Sequence, residues 1–249
     1  MHPDITCYPA SLPGPRPAVL VLPGGGYRFH TGHEGEGYAR WLNRIGLHAF
    51  VLRYPLLTEH RFPAPMESGR AALDWIRGGA HGLDIGEHVG VIGSSAGGHL
   101  AGLLATGTVL DEEDLDAAPP RPDFAILAYA AADLHLLPDE PVAWILDGRM
   151  ELRDRLSPAR HIDAATCPAF VWATAEDPPG FPNSLAYAQA LFDAGIPVEL
   201  HIYPRGRHGL GLADGVAYGE HGDVHIPHTA QWARACEAWL REEGFLPAE

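Results

Sequence analysis

The 249-residue sequence contains no lysine, so its 17 lysine-plus-arginine positions are all arginine. A Walker phosphate-binding loop, a protein kinase of the usual kind, a Schiff-base enzyme and a Ser-x-x-Lys acyl enzyme all need a lysine amine, and these classes are excluded. Cysteine is scarce too. Cys7, Cys167 and Cys236 are far apart along the chain, which indicates neither a disulfide framework nor a cysteine zinc site.

Long apolar runs and positive charge are also in short supply. The apolar runs extend over a few residues, too few to span a bilayer, and residues 1–4 lack the pattern of a secretory signal peptide. The chain has 32 acidic residues and a formal net charge of −15 at pH 7, which repels phosphate backbones and anionic lipid heads. We therefore predict a soluble cytoplasmic protein with no nucleic-acid or membrane partner. The oligomeric state stays open, with a homo-oligomer among the alternatives.

Short apolar runs alternate with amphipathic stretches along the whole chain, which predicts an α/β fold over residues 1–249 as a single domain. Unbroken apolar runs are typical of strands in a parallel sheet that helices cover on both faces, and they occur at 19–22, 49–52, 89–92, 125–128 and 169–172. Residues 198–203 alternate between apolar and polar, as on an edge strand. The alternation predicts a doubly wound, mostly parallel sheet. The proline-punctuated segment 134–160 is predicted to form a small cap over it.

One motif combines a strand, a tight turn and a helix around a serine. Gly93-Ser94-Ser95-Ala96-Gly97 follows the predicted strand 89–92 and precedes a helix-prone run at 99–105, which is the setting that a G-x-S-x-G nucleophile elbow requires. Such a turn places the middle serine at a helix N-terminus, where N–H groups and the helix dipole favour an oxyanion. We interpret Ser95 as a nucleophile, because this context disfavours a chance match.

A serine hydroxyl needs a base to take its proton, and the base needs an acid to orient it. In this architecture the chain order is serine, then acid, then histidine. Asp177 follows the predicted strand that begins at residue 169, and His208 follows the last predicted strand. Since open α/β sheets place their sites at the carboxyl ends of strands, we predict His208 as the base and Asp177 as the acid. Glu176 and Asp133 are the reserve acids.

The triple glycine at 24–26 follows the first buried strand. A tetrahedral intermediate needs at least two N–H donors around its oxygen. Backbone without side chains can turn its amides inward, so we predict an oxyanion hole formed by the N–H groups of Gly25, Gly26 and Ala96.

Together these motifs resemble a known group of enzymes. The segments that carry the resemblance are Pro23-Gly24-Gly25-Gly26-Tyr27, Gly93 to Ala101, Ser157-Pro158, Tyr203-Pro204 and His208-Gly209-Leu210. In this order they resemble the bacterial α/β-hydrolase esterases, and within them the acetyl-xylan and acetyl-sugar esterases close to the BD-FAE feruloyl-esterase group. The resemblance covers essentially the whole chain. It implies the α/β-hydrolase fold and a serine carboxylesterase that removes small acyl groups, typically acetyl, from small-molecule or oligosaccharide esters, with no metal or organic cofactor.

Several further side chains have less specific patterns. Tyr27, Trp144 and Phe181 fall in loops near the predicted site, where they could stack on a sugar ring or serve equally well in the core or a lid. Glu34 and Glu36 are predicted to compensate the N-terminal dipole of the helix that follows the glycine loop.

Other functions remain open at this stage. An arylformamidase or a small peptidase would use the same scaffold, and a catalytically silent binding protein would share the fold. A metal-dependent hydrolase would need a cluster built from His221, His225 and His228 with Asp223. No helix fixes the register of these residues, so we favour a solvated loop and predict no metal site.

Overall fold

The computed structural model describes residues 3–110, 119–218 and 224–246. Its strands are β1 (Ile5–Tyr8), β2 (Arg16–Leu22), β3 (His48–Leu52), β4 (Ile85–Ser94), β5 (Ala125–Ala128), β6 (Ala169–Thr174) and β7 (Val198–Tyr203). They form one seven-stranded sheet with the order β1-β3-β2-β4-β5-β6-β7. Every neighbouring pair is parallel except β1 and β3. This arrangement confirms the predicted mostly parallel sheet.

The principal helices cover the sheet on both faces. They are α1 (Gly32–Arg44), α2 (Ala64–Arg77), α3 (Ala96–Ala105), α4 (Asp139–Ile145), α5 (Gly180–Asp193) and α6 (Trp232–Glu242). Leu20 and Leu22 of β2 belong to the core layer that includes α2, α3 and α5, whereas Val19 and Val21 belong to the layer of α1 and α6. Since both faces are buried, successive residues of a strand are all apolar.

The parallel arrangement gathers four connections at one edge of the sheet. β2 leads into the glycine loop, β4 into Ser95, β6 into the turn that carries Asp177, and β7 into the loop that carries His208. These strands run in the same direction, so their carboxyl ends lie side by side, where α/β sheets bind their ligands.

Two regions differ from the sequence-based expectations or extend them. The sequence pattern did not predict β1, whose residues are half-buried or exposed and which pairs antiparallel with β3. The segment 134–160 contains α4 and three short 3-10 helices, at 134–136, 150–152 and 158–160. The acidic and proline-containing sequence of 111–122 is typical of a surface loop, and residues 111–118 of this segment lie outside the described part of the chain. Within the three described ranges, no helix combines the length and apolar character needed to cross a membrane.

Candidate active site

Ser95 is the single residue between β4 and α3, and its backbone is strained. Its φ of 52° and ψ of −117° lie in a region that non-glycine residues rarely adopt. A Cβ at Gly97 would overlap the Leu22 carbonyl oxygen, and a Cβ at Gly93 would overlap that of Gly97. Only glycine at these two positions permits the sharp turn from strand to helix, which explains the spacing of the motif.

His208 lies between Ser95 and Asp177 and contacts both. Its Nε2 is 2.7 Å from Ser95 Oγ, and its Nδ1 is 2.8 Å from Asp177 Oδ2 and 3.0 Å from Oδ1. An ionised carboxylate only accepts hydrogen bonds, so Nδ1 carries the proton and Nε2 of the neutral ring accepts from the Ser95 hydroxyl. Asp177 is buried, and the Gly180 N–H donates to its Oδ1 at 3.0 Å. The structure thus brings together the three residues that the sequence predicted as a set.

The two reserve acids are engaged elsewhere. Glu176 accepts from Arg205 at 2.6 Å and from the Gly206 N–H at 2.9 Å, and these two donors lower its pKa below the ordinary value. Both Asp133 oxygens lie 3.1 Å from Nε of Arg160. Asp133 also accepts from the backbone N–H of His135 at 2.9 Å, but among the described residues neither carboxylate hydrogen-bonds to a histidine ring. Asp177 is therefore the acid that contacts the His208 ring.

The glycine loop adopts a backbone conformation that side chains would hinder. Gly25 and Gly26 have φ values of 125° and 61°, and a Cβ at Gly25 would overlap the Phe29 carbonyl oxygen. In the described part of the chain, the N–H groups of Gly25, Gly26 and Ala96 donate no hydrogen bond. Both glycines border a cavity that contains Ser95. The donors predicted for an oxyanion hole are therefore not consumed by the fold.

Glu34 is a buried carboxylate beneath the site, and its contacts go beyond the helix-end role that the sequence predicts. It belongs to the first turn of α1 but is only 1% exposed, because its side chain turns toward the protein interior. Its oxygens accept hydrogen bonds from the Gly24 N–H at 2.9 Å, the Thr31 hydroxyl at 2.5 Å and the Tyr129 hydroxyl at 2.6 Å. Glu36, in contrast, forms an exposed ion pair with Arg40.

Tyr129 extends this network to the histidine loop. Its hydroxyl donates to Glu34 and accepts from the Gly211 N–H at 2.8 Å. The edge of its ring meets the His208 ring, with centroids 5.2 Å apart. Burial and the neighbouring charge of Glu34 raise the pKa of Tyr129 well above its ordinary value, so the phenol stays protonated. Glu34 and Tyr129 therefore connect the glycine loop with the loop that holds His208.

We predict that Glu34→Gln lowers kcat by roughly 10- to 100-fold with little change in KM. The amide would present an NH₂ group to donors that now bind a carboxylate, which disturbs the glycine loop and costs about 1–3 kcal/mol of folding stability. Steady-state kinetics on a neutral acetyl ester and urea denaturation would measure the two effects. The matched control is Glu36→Gln, two residues along the same helix. If Glu34→Gln behaves like this control, the positioning role assigned to Glu34 is wrong.

Tyr27 and His99 form a second buried contact, under the nucleophile turn. The Tyr27 hydroxyl lies 2.6 Å from His99 Nδ1, and His99 Nε2 lies 2.7 Å from the Leu156 carbonyl oxygen. A carbonyl only accepts, so Nε2 carries the proton and Nδ1 accepts from Tyr27. Burial lowers the pKa of His99 to about 4. Tyr27 has no exposed surface and belongs to the core, and it also borders a cavity that contains Ser95.

The buried neutral state of His99 makes folding stability fall in mild acid. The unfolded chain takes up a proton near pH 6.5, whereas the folded protein does so only near pH 4. The contribution of the neutral His99 ring to the free energy of unfolding is therefore fully present above pH 6.5 and decreases between pH 6.5 and 4. At pH 5 this contribution is lower by about 2 kcal/mol. Urea denaturation at pH 7.5 and 5.0 would measure the free energy of unfolding of both proteins. Between these pH values His99→Gln should lose about 2 kcal/mol less than the wild type. The exposed His60→Gln variant serves as the control, and an equal pH dependence in all three proteins would contradict the prediction.

Two adjoining cavities flank Ser95 and His208. The first, of about 500 Å³, is bordered by Gly25, Arg28, Trp144 and Arg207. The second, of about 560 Å³, is mainly apolar and is lined by Leu136, Leu137, Pro138, Pro141, Ile145, Pro178 and Pro179, among others. A larger groove of about 740 Å³ shares Trp144 with the first cavity but contains neither Ser95 nor His208. The two smaller cavities are thus the ones that contain Ser95 and His208.

The remaining candidate residues are distributed unevenly around these cavities. Trp144 borders the first cavity, whereas Phe181 is a half-buried residue in the first turn of α5 and lines neither.

His221 and Asp223 of the candidate metal cluster lie outside the described residues. In the described ranges no three histidine, cysteine or acidic side chains come together as a metal site would require. His225 pairs its backbone with Asp214, and His228 packs its ring on Tyr203.

Comparison with known proteins identifies the family. A family model described as the alpha/beta hydrolase fold matches residues 19–212, so the chain belongs to that family. An acetylxylan esterase from Xylanibacter ruminicola is 29% identical across 94% of this chain and 48% of its own length. The solved acetyl ester-xyloside bifunctional hydrolase from Caldicellulosiruptor lactoaceticus is 35% identical, with a TM-score of 0.84, over 98% of this chain and 89% of that chain. A carboxylesterase structure from Lactobacillus plantarum is 28% identical, with a TM-score of 0.85, over 98% of this chain and 94% of that chain.

These relatives confirm the predicted α/β-hydrolase fold and the predicted resemblance to acetyl-xylan and acetyl-sugar esterases. The chain spans between 33% and 62% of the length of the first three curated relatives that it matches.

Proposed function

We propose that this protein is a serine carboxylesterase that hydrolyses small acyl esters, acetyl esters of carbohydrates above all. The contact of His208 with both Ser95 and Asp177, at 2.7 and 2.8 Å, carries this proposal. The similarity to an acetylxylan esterase and to an acetyl ester-xyloside hydrolase supports the substrate class.

The first half of the proposed reaction forms an acyl-enzyme. Ser95 Oγ attacks the ester carbonyl carbon while its proton passes to His208 Nε2, and Asp177 stabilises the resulting imidazolium. The carbonyl oxygen becomes an oxyanion that accepts hydrogen bonds from the N–H groups of Ala96 and the glycine loop. Each such donor contributes roughly 10²- to 10³-fold to the rate. The tetrahedral intermediate then expels the alcohol, which takes the proton from His208.

The second half releases the acid. A water molecule gives a proton to His208 Nε2 and attacks the carbonyl carbon of the acylated Ser95. The same oxyanion donors stabilise the second tetrahedral intermediate. Its collapse breaks the bond to Ser95 Oγ, which recovers the proton, and the carboxylic acid leaves.

An acetyl group is small compared with either cavity, so most of the space next to Ser95 would receive the alcohol part of the ester. The two cavities together, about 500 and 560 Å³, are compatible with a sugar ring or a short oligosaccharide. Trp144 would lie beside the sugar ring. The proposed cap, residues 134–160, would form the side of the cavities to which Trp144 belongs.

A substrate panel tests this proposal. Purified protein would be assayed with acetylated xylo-oligosaccharides, acetylated monosaccharides, a feruloyl ester, formyl-kynurenine and aminoacyl substrates. We expect the highest kcat/KM on acetylated sugars. A clear preference for formyl-kynurenine or for aminoacyl substrates would reassign the activity on the same scaffold, and no turnover of any member would favour a binding role.

A further inference from the structure

Two arginines border the first cavity beside the nucleophile. Arg28 lies two residues after Gly26 of the glycine loop, and Arg207 directly precedes His208. Both line the cavity that contains Ser95. In a chain with a formal net charge of −15, two permanent positive charges at this position call for an explanation.

Neither guanidinium group is neutralised by the described part of the protein. Nine of the seventeen arginines form an ion pair with a described carboxylate. Arg28 and Arg207 form no such pair within the described ranges; Arg207 makes only a long hydrogen bond, of 3.4 Å, to its neighbour's carbonyl oxygen. The acidic residue that borders the same cavity is Glu34, which is buried and already accepts three hydrogen bonds.

Arg28 is also held in place. Its guanidinium carbon lies 4.3 Å from the centroid of the Trp144 ring, a cation–π arrangement that restricts a long side chain. Stacking on an aromatic face leaves the N–H edge of the guanidinium group available, because that edge lies in the guanidinium plane. A planar fork of donors of this kind matches the two oxygens of a carboxylate.

We propose that the first cavity binds a carboxylate carried by the ester substrate, with Arg28 and Arg207 as its cationic partners. This inference rests on the proposed esterase function and narrows its substrate class to acidic esters. The carboxylate could belong to the sugar, as in an acetylated uronic acid, or to the acyl group, as in a succinyl ester. Both place the same charged group within reach of the nucleophile.

Two pairs of substrates, each an anionic ester and a neutral analogue of similar size, test the proposal. One pair is an acetylated methyl glucuronoside and the corresponding acetylated methyl glucoside. The other is mono-4-nitrophenyl succinate and its methyl ester. In at least one pair we expect kcat/KM to be at least about fivefold higher for the anionic member. The reason is that charge-assisted hydrogen bonds are stronger than neutral ones. The preference should shrink as sodium chloride is raised.

Variants assign the preference to these side chains. Arg28→Gln combined with Arg207→Gln should bring the anionic-to-neutral ratio to about one, mainly through KM. The matched control is Arg205→Gln, because Arg205 is exposed, pairs with Glu176 and does not line the cavity. A wild-type ratio of one in both pairs, with neutral esters still hydrolysed, would overturn this inference and leave the esterase function standing. A preference that survives the double variant would also overturn it, and failure to hydrolyse any ester would refute the esterase function itself.

Discussion

Replacing Ser95 with alanine is expected to reduce p-nitrophenyl acetate hydrolysis by at least about 10⁴-fold, to the residual rate that substrate binding and the oxyanion donors supply without the nucleophile. In the proposed mechanism the Ser95 oxygen forms the covalent bond, so no neighbouring group replaces it. His208→Ala should have a similar effect, because the two residues act as a unit. Initial rates at saturating substrate would measure the loss, and circular dichroism would show that both variants are folded.

The chain offers a matched control for this experiment in the preceding residue. Ser94 is buried, and its hydroxyl lies 2.7 Å from that of Tyr38 and forms no hydrogen bond to His208 in the described part of the chain. Ser94→Ala should therefore retain activity within about tenfold of the wild type, since it loses one buried hydrogen bond but no reacting atom. Comparable activity in Ser95→Ala and the wild type would rule out Ser95 as the nucleophile.

Asp177→Asn is expected to lower kcat by about 10³- to 10⁴-fold while leaving a measurable rate. An asparagine that kept the Gly180 N–H contact through its oxygen would turn an NH₂ group toward His208 Nδ1. The ring would then favour the tautomer with its proton on Nε2, which cannot accept the proton of Ser95. Steady-state kinetics at several pH values would measure the loss in kcat.

Glu176 supplies the comparison for this second variant. It is adjacent to Asp177 and is exposed, and it binds Arg205 and the Gly206 N–H rather than a histidine. Glu176→Gln should change kcat by less than about threefold, because surface ion pairs contribute little. A large loss in Glu176→Gln together with a normal rate in Asp177→Asn would show that Glu176, and not Asp177, orients His208.

Much of the fold could be predicted from the sequence, and so could the set of Ser95, Asp177 and His208, because both follow from short-range patterns. Unbroken apolar runs located five of the six parallel strands, since burial on both faces leaves no polar positions. The alternating pattern at 198–203 located β7, the edge strand. The turn before α3 was predictable because only glycine fits where Gly93 and Gly97 approach neighbouring backbone. His208 and Asp177 could be selected among many histidines and acids because each follows a strand whose carboxyl end lies at the same edge of the sheet.

Other features depend on distant partners that no local pattern reveals. Glu34 looks like an ordinary residue of a helix first turn, and its inward orientation depends on Tyr129, which is 95 positions further along the chain. Tyr27 follows the glycine loop like a substrate-facing aromatic, but its hydroxyl contacts His99 in the interior. β1 has few apolar residues, and its pairing with β3 at the sheet edge supplies its stability.

The most direct test of the central claim is covalent labelling with a fluorophosphonate followed by peptide mass spectrometry. The probe reacts with a serine whose hydroxyl a neighbouring base activates, and the phosphonyl group remains on that oxygen. We predict one stoichiometric adduct, on Ser95, formed together with complete loss of esterase activity and greatly slowed in His208→Ala. An active protein that stays unlabelled, or an adduct on another residue that accounts for the lost activity, would contradict the account.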